Sequence, residues 1–408
     1  MSAELAIREV GDRRGMGRLL DLPMALYRGR PNWAPPLRRA QAKMLARKTA
    51  FFDHADMALF LAERAGRAVG RIAAIHNRAH NDRHKDRVGF FGFFECDIHD
   101  AAAAEGLFEH AQRWLADRGL TSVRGPVNPS MNAECGLLID GFDRPPMVMM
   151  PYNPPEYAGL IEAAGFAKCK DLYAYLIRAA DVDDGQGRGR MLRLADVLRR
   201  RHPEVRVRPI DMKRYEREVL DLVELFETAR SDNWGHVPLT EKEVLEMARD
   251  MKAVVDPDLI LVGQVGDEPA GASMALPNIN RALAACRGRL LPLGFLKFMR
   301  EMKRIHEIRI FGIAVLERYR HLGITAMLLL ETILRGRAKG IDIGEASWVL
   351  EDNEMSNRTI QNVLSPERYK TYRIYEKPIS RPDAAKEGRQ GLSSHAGQKN
   401  PQNPHFSS

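Results

Sequence analysis

"RIFGIAVLERYRHLGITAMLLLETILRGRAKG", residues 309–340, is the stretch on which the fold turns. Arg309 to Val315 reads as a buried strand, rich in β-branched and aromatic side chains. A short charged bend follows, then Gly323, then a long helix with an apolar face. A helix that starts this way presents its first peptide N–H groups, which have no partner inside the helix, to the bend. With the helix dipole behind them, those groups form an anion cradle. The stretch by itself leaves open which anion is held.

The rest of the chain narrows the choice. At 408 residues it exceeds one small core, and two or three domains are expected. Hydrophobic content of 45% beside 28% charge is that of a soluble globular protein. A net charge of +8 favours polyanions, cofactor phosphates or an anionic membrane face, yet is too small and dispersed to indicate nucleic acid. Cys96, Cys135, Cys169 and Cys286 form no CxxC pair, which argues against a disulfide framework or structural zinc and fits a reducing compartment. The N-terminus lacks a continuous apolar signal core, and no apolar run approaches the roughly 20 residues of a spanning helix. A cytoplasmic protein is expected, touching at most the inner membrane face.

Two similar halves are legible. In the first, "MALFLAERAGRAVGRIAAIHN" reads as two strands around a turn and "RVGFFGFFECDI" as a strand buried on both faces. A helix at "AAAAEGLFEHAQRWLADRGL" stops at Gly119. Strands at "TSVRGPV" and "MVMM", a helix at "PPEYAGLIEAAG" and strands through "FAKCKDLYAYLI" complete the half. The second half repeats this order, from helices at "YEREVLDLVELFETA" and "TEKEVLEMARDM" to a closing "YKTYRIYEK". An α/β fold with mixed sheets, duplicated in tandem, is the economical reading. The expected divisions are residues 1–180, a linker at 181–204 containing the exposed "DVDDGQGRG" and a helix near Met191–Arg200, residues 205–380, and a disordered tail at 381–408.

Residues 310–339, followed by "EASWVLEDNEMSNRTIQNVL" and "YKTYRIYEK", resemble the GNAT acyltransferase superfamily. In that superfamily an Arg/Gln-x-x-Gly-x-Gly/Ala loop opens a helix and holds the pyrophosphate of coenzyme A. Here the loop reads Arg320, His321, Leu322, Gly323, Ile324, Thr325, with threonine in the last small position. The first half matches the superfamily at Asn153, Tyr157, Gly165 and Phe166 but has only "HDA" where the loop belongs. The resemblance thus implies two GNAT-like domains, the second binding an acyl-CoA donor. More narrowly, "FFGFFE", "NAECGLLIDGF" and "WVLEDN" resemble bacterial two-GNAT proteins related to ceramide synthases. The implied reaction moves an acyl group from a CoA thioester to an amine, either a small molecule or a lipid such as a sphingoid base. A non-catalytic acyl-CoA-binding scaffold is the alternative.

On the same resemblance, backbone of Ile313, Ala314 and Val315 holds the thioester, and Asn353 joins the loop at the cofactor. The superfamily's usual tyrosine acid falls at Ile360, leaving Tyr372, with Tyr369 near it, as the candidate donor. Among carboxylates, Glu134 lies in the polar loop "NPSMNAECGLLIDGF", where functional groups concentrate. Glu95 ends a buried run, as a base of raised pKa or as a strand's solvent end. Asn132 and Cys135 from that loop, and Asn233, Trp234 and His236 from "SDNWGHVPLT", are candidate acceptor contacts; Trp234 reads equally as a loop anchor against the core, and Cys135, as an acyl-carrying nucleophile, lacks a base adjacent in sequence. His76, His80 and His84 have helical spacing without an acidic partner motif, so no metal is expected. No Walker signature supports a nucleotide hydrolase. Residues 281–305 interleave leucines and phenylalanines with arginines and lysines, which points to contact with anionic lipid, or to a helix that merely covers the sheet. The sequence carries no signal for an oligomeric state.

Overall fold

The computed structural model describes residues 4–180, 187–231, 233–364 and 366–379. The expected disordered tail and residues 181–186 of the expected connector lie outside the described residues.

Fifteen strands are described: β1 (Leu5–Glu9), β2 (Ala55–Arg64), β3 (Arg67–Asn77), β4 (Val88–Cys96), β5 (Ser122–Gly125), β6 (Val127–Asn128), β7 (Glu134–Cys135), β8 (Leu137–Asp140), β9 (Ala167–Arg178), β10 (Val205–Pro209), β11 (Ile260–Val265), β12 (Glu268–Pro277), β13 (Glu307–Val315), β14 (Ile343–Leu350) and β15 (Glu367–Pro378). Thirteen form one sheet in the order β1-β2-β3-β4-β5-β15-β9-β14-β13-β12-β11-β10, with β8 also on β15. The halves therefore interlock. The last described strand, β15, lies between β5 and β9, while β9 of the first half runs beside β14 of the second. Among the described strands only β4–β5 and β13–β14 pair in parallel.

Helices cover both faces of the sheet, so the strands are near-continuous apolar runs. In the first half, helix Ala101–Ala116 packs Leu107, Phe108 and Leu115 onto Phe91 and Ile72, and on the other face Leu19, Met57 and Leu138 share a core with Tyr372 and Ile374. In the second, helix Ile324–Ala338 buries Ile324, Met327 and Leu328 beneath β11–β13. The expected strand at "MVMM" does not form. Residues 147–150 are irregular, with Pro146 and Pro151 flanking them and Met149 at φ +59°, and prolines deprive a strand of ladder donors.

Candidate active site

Each half has a helix following its splayed strand, and the two helix starts differ. In the first half Asp100 caps helix Ala101–Ala116, accepting from the Ala103 N–H at 3.1 Å, and Arg64 grips the same carboxylate at 2.9 Å. The orphan donors there already have an anion. In the second half the start is Gly323, at φ +69°, with no side-chain cap on helix Ile324–Ala338. The bend before it, Glu317–Leu322, is a 3₁₀ turn that leaves Arg320 and His321 exposed. Leu322 packs inward and Ile324 is fully buried, so apolar side chains pin the bend from both sides. Thr325 is half-buried in the first turn. Leu198, from helix Gly187–Arg201, approaches to 3.0 Å of where a Cβ on Gly323 would sit.

The strands ahead of these helices also differ. β4 and β5 pair only over Val88–Phe90, then part. β6 refills that gap: a Cβ on Gly92 would overlap the Val127 carbonyl, and the Phe93 N–H donates to Asn128 Oδ1 at 2.6 Å. β13 and β14 pair over Glu307–Ile310 and likewise part. No described strand enters that gap. The Arg230 guanidinium lies there instead, 2.5 Å from where a Cβ on Gly312 would be and 3.4 Å from the Ile313 carbonyl. In a strand the N–H and C=O of one residue face the same way, so the Ile313 amide opens on the gap. Ala314 and Val315 beyond it are buried, and Asn353 caps helix Glu354–Leu364 by accepting from Ser356.

Beside the first gap lies a cavity of about 290 Å³, walled by Tyr27, Trp33, Leu37 and residues 148–153 of the first half and by Ile279, Asn280 and Leu283 of the second. Glu95 and Glu134 both line it. Glu95 comes from β4, keeps 13% of its side chain open, accepts from the Tyr157 hydroxyl at 3.0 Å and faces Arg71 at 3.7 Å. Burial pushes its carboxyl up to about 7, against the pull of Arg71 and the hydroxyls of Tyr27 and Tyr157. Burial raises Glu134 too, opposed by a hydrogen bond from Asn128 and the charge of Arg309. A carboxyl poised near neutrality is what a base working at physiological pH needs.

The other expected residues fall in three places. Asn132 donates to the Val237 carbonyl at 2.7 Å, His236 pairs with Glu227 at 2.7 Å, and Trp234 packs against the first-half core, so they hold the seam between the halves. Asn233 sits in the same bend, half-buried, its N–H on Arg230. Cys135 is buried, which pushes its thiol up to about 12 and makes it a poor nucleophile. Tyr372 is fully buried within β15, its hydroxyl without a hydrogen-bond partner among the described residues, and it does not line the cavity. Behind the cavity Arg309 donates to Val148 O at 2.9 Å, Met149 O at 3.2 Å and Ser347 Oγ at 2.8 Å, while Ser347 and Tyr369 donate to Glu345. Sequence reasoning missed Arg71 and Arg309. The available signal was a lone arginine within an apolar strand, since burying one requires a partner.

No protein-family model matches the chain. It is 36% identical over 391 residues to the bacterial ceramide synthase of Caulobacter vibrioides, covering 93% of this chain and 98% of that one. It is 33% identical over 379 residues to protein YghO of Escherichia coli, covering 91% and 95%. Among solved structures, a tandem GNAT protein from the clavulanic acid biosynthesis pathway superposes with a TM-score of 0.55 at 13% identity, covering 93% of this chain and all of that one. A GCN5-related glucosamine N-acetyltransferase region of a fungal multi-domain β-N-acetylglucosaminidase gives 0.54 at 12% identity, covering 92% of this chain and 38% of that one. The chain has the fold of tandem GNAT proteins and belongs to the family of the bacterial ceramide synthase and protein YghO.

Proposed function

We propose that the protein is an N-acyltransferase that moves an acyl group from an acyl-CoA thioester to an amine. The observation that carries the donor assignment is the helix start at Gly323, which bears no side-chain cap and follows a basic bend, where the matching start in the first half is closed by Asp100. Donor pyrophosphate would lie on the N–H groups of Gly323 to Thr325, flanked by Arg320 and His321, with pantetheine in the β13–β14 gap and the thioester carbonyl on the Ile313 amide. Arg230 must swing aside to admit it.

Glu95 takes one proton from the acceptor ammonium. The neutral amine attacks the thioester carbon, the C–N bond forms and the C–S bond breaks. The departing thiolate takes the second amine proton to become a free thiol, and Glu95 returns its proton to water. Exposed Leu291, Leu293, Phe295, Leu296 and Met299, set among Lys297, Arg300, Lys303 and Arg304, support peripheral contact with an anionic membrane and hence a lipid amine as acceptor.

Calorimetry with acetyl-, octanoyl- and palmitoyl-CoA, followed by a free-thiol assay with pooled amines, tests this reading. Binding with thiol release is expected. Binding without turnover would favour the acyl-CoA-binding scaffold, to which the partly buried Ile360, a residue that cannot donate a proton, lends weight. Absence of binding would overturn both.

A further inference from the structure

The first-half cavity has two chemically distinct ends. Glu95, Arg71, Tyr27 and Tyr157 interact with one another, and Glu134 with Asn128 lies close enough for the two carboxyls to repel. Arg71 is 3% exposed, donates to the Leu19 carbonyl at 2.8 Å, and has no partner for its Nε among the described residues. Its single charge offsets one carboxylate. The arginine nearest the other, Arg309, is engaged by Ser347 and faces Glu345. Among the described residues Arg71 is the arginine left to the pair, so when both carboxyls are ionised there is room for one more positive charge, and a charge in an apolar cavity demands a partner.

The opposite end is apolar. Leu37, Ile279 and Leu283 line the cavity and also belong to the cluster formed with Leu290, Phe298 and Met302. That cluster underlies the outward face on which Leu291 is 80% and Leu296 66% exposed. The apolar wall of the cavity is therefore built from both halves and packs against the cluster beneath that face. At about 290 Å³ the cavity sits near the lower limit of small-molecule sites, so a long chain would emerge onto that face.

We propose that this cavity is the acceptor pocket, taking a long-chain primary amine with its ammonium between Glu95 and Glu134 and its tail along Leu37, Ile279 and Leu283. The first half, whose own donor gap is refilled by β6, thus binds the acceptor for a donor held by the second half. This rests on the transferase reading for its purpose, though not for its test. Arg71 and Tyr157 are positioning residues that hold the Glu95 carboxylate at the head of the pocket.

The test is calorimetric, on the full chain, with dodecylamine, hexylamine and dodecanoate as probes below their aggregation concentrations. Dodecylamine should bind at least tenfold more tightly than hexylamine, because buried methylenes contribute, and dodecanoate should not bind. Glu134→Gln, which preserves shape, should weaken dodecylamine at least tenfold and leave palmitoyl-CoA affinity unchanged. Leu283→Arg should do the same, and a matched melting curve shows whether that variant is folded. Equal binding of dodecanoate, or dodecylamine affinity indifferent to Glu134→Gln, would overturn the assignment. Loss of palmitoyl-CoA binding in the parent protein would instead strike the donor reading and leave the pocket standing.

Discussion

Helix Ala101–Ala116 and helix Ile324–Ala338 occupy matching places in the two halves, yet one begins at a carboxylate and the other at a bare glycine. Both starts face the same problem of backbone donors without internal partners. Asp100 solves it from within the chain and, being an anion itself, repels any phosphate. Gly323 leaves the solution to a ligand. The gaps ahead of them repeat the contrast. In the first half the Val127 backbone and the Asn128 side chain refill the opening, whereas in the second an arginine side chain stands in it. A duplicated scaffold can thus lose a ligand by supplying a substitute for it at each contact, without losing the fold.

The comparison can be broken most decisively at Gly323. Valine there would meet both the left-handed backbone and Leu198, and palmitoyl-CoA affinity should fall by roughly 100-fold or more. The melting temperature should drop only as far as about 1–2 kcal/mol of backbone strain requires. Affinity retained in Gly323→Val would show that the cradle is idle.

Next in size is pH. Glu95 holds its proton up to about 7 because burial disfavours the charge, with Arg71, Tyr27, Tyr157 and Glu134 facing it. Its ionised form is the base, so kcat/KM should rise about tenfold per unit below pH 7 and level off above. Glu95→Gln should erase that limb together with most of the rate. The stability consequence has the opposite sign. A raised carboxyl pKa stabilises the fold fully below its ordinary value near 4.5, and that contribution disappears as pH rises through about 7. Thermal melts should therefore show the parent losing ground to Glu95→Gln across that window.

A smaller effect concerns the outer face of the second half. Lys297→Gln should weaken sedimentation with phosphatidylglycerol vesicles about fivefold, near 1 kcal/mol per basic residue, and have no effect with phosphatidylcholine alone. Equal loss on both vesicle types would remove charge from the account. The smallest effect is Asp100→Ala. Losing the cap should cost about 1 kcal/mol in a denaturant titration, with palmitoyl-CoA affinity untouched. A change in that affinity would mean the two helix starts are not independent.

Much of this was readable in advance. Helix Tyr215–Ala229, strand β12 and the start at Ile324 fall where periodicity and glycine placement put them, because those features depend on neighbours a few residues away. Three features were not readable in this way. The interlocking of β9 and β15 depends on partners up to 209 residues apart in sequence, as Ala167 facing Glu376 illustrates, and an apolar strand does not encode which edge it joins. The irregular path of 147–150 reflects Arg309 taking the carbonyls of Val148 and Met149. Glu95 read more readily as a strand's wet end than as a base. Only Tyr27, Tyr157 and Arg71, brought from distant elements, turn it into a shielded carboxyl.

The placement of β15 bears on how the protein is made. Neither half can close its sheet until residues 367–378 have left the ribosome, since that single strand joins β5 on one side and β9 on the other. A nascent chain halted before Glu367 would carry unpaired edges in the middle of what should become a thirteen-stranded sheet, open to pairing with other chains. Premature termination late in translation should therefore yield aggregates of the whole polypeptide, with no folded first half to be recovered from them.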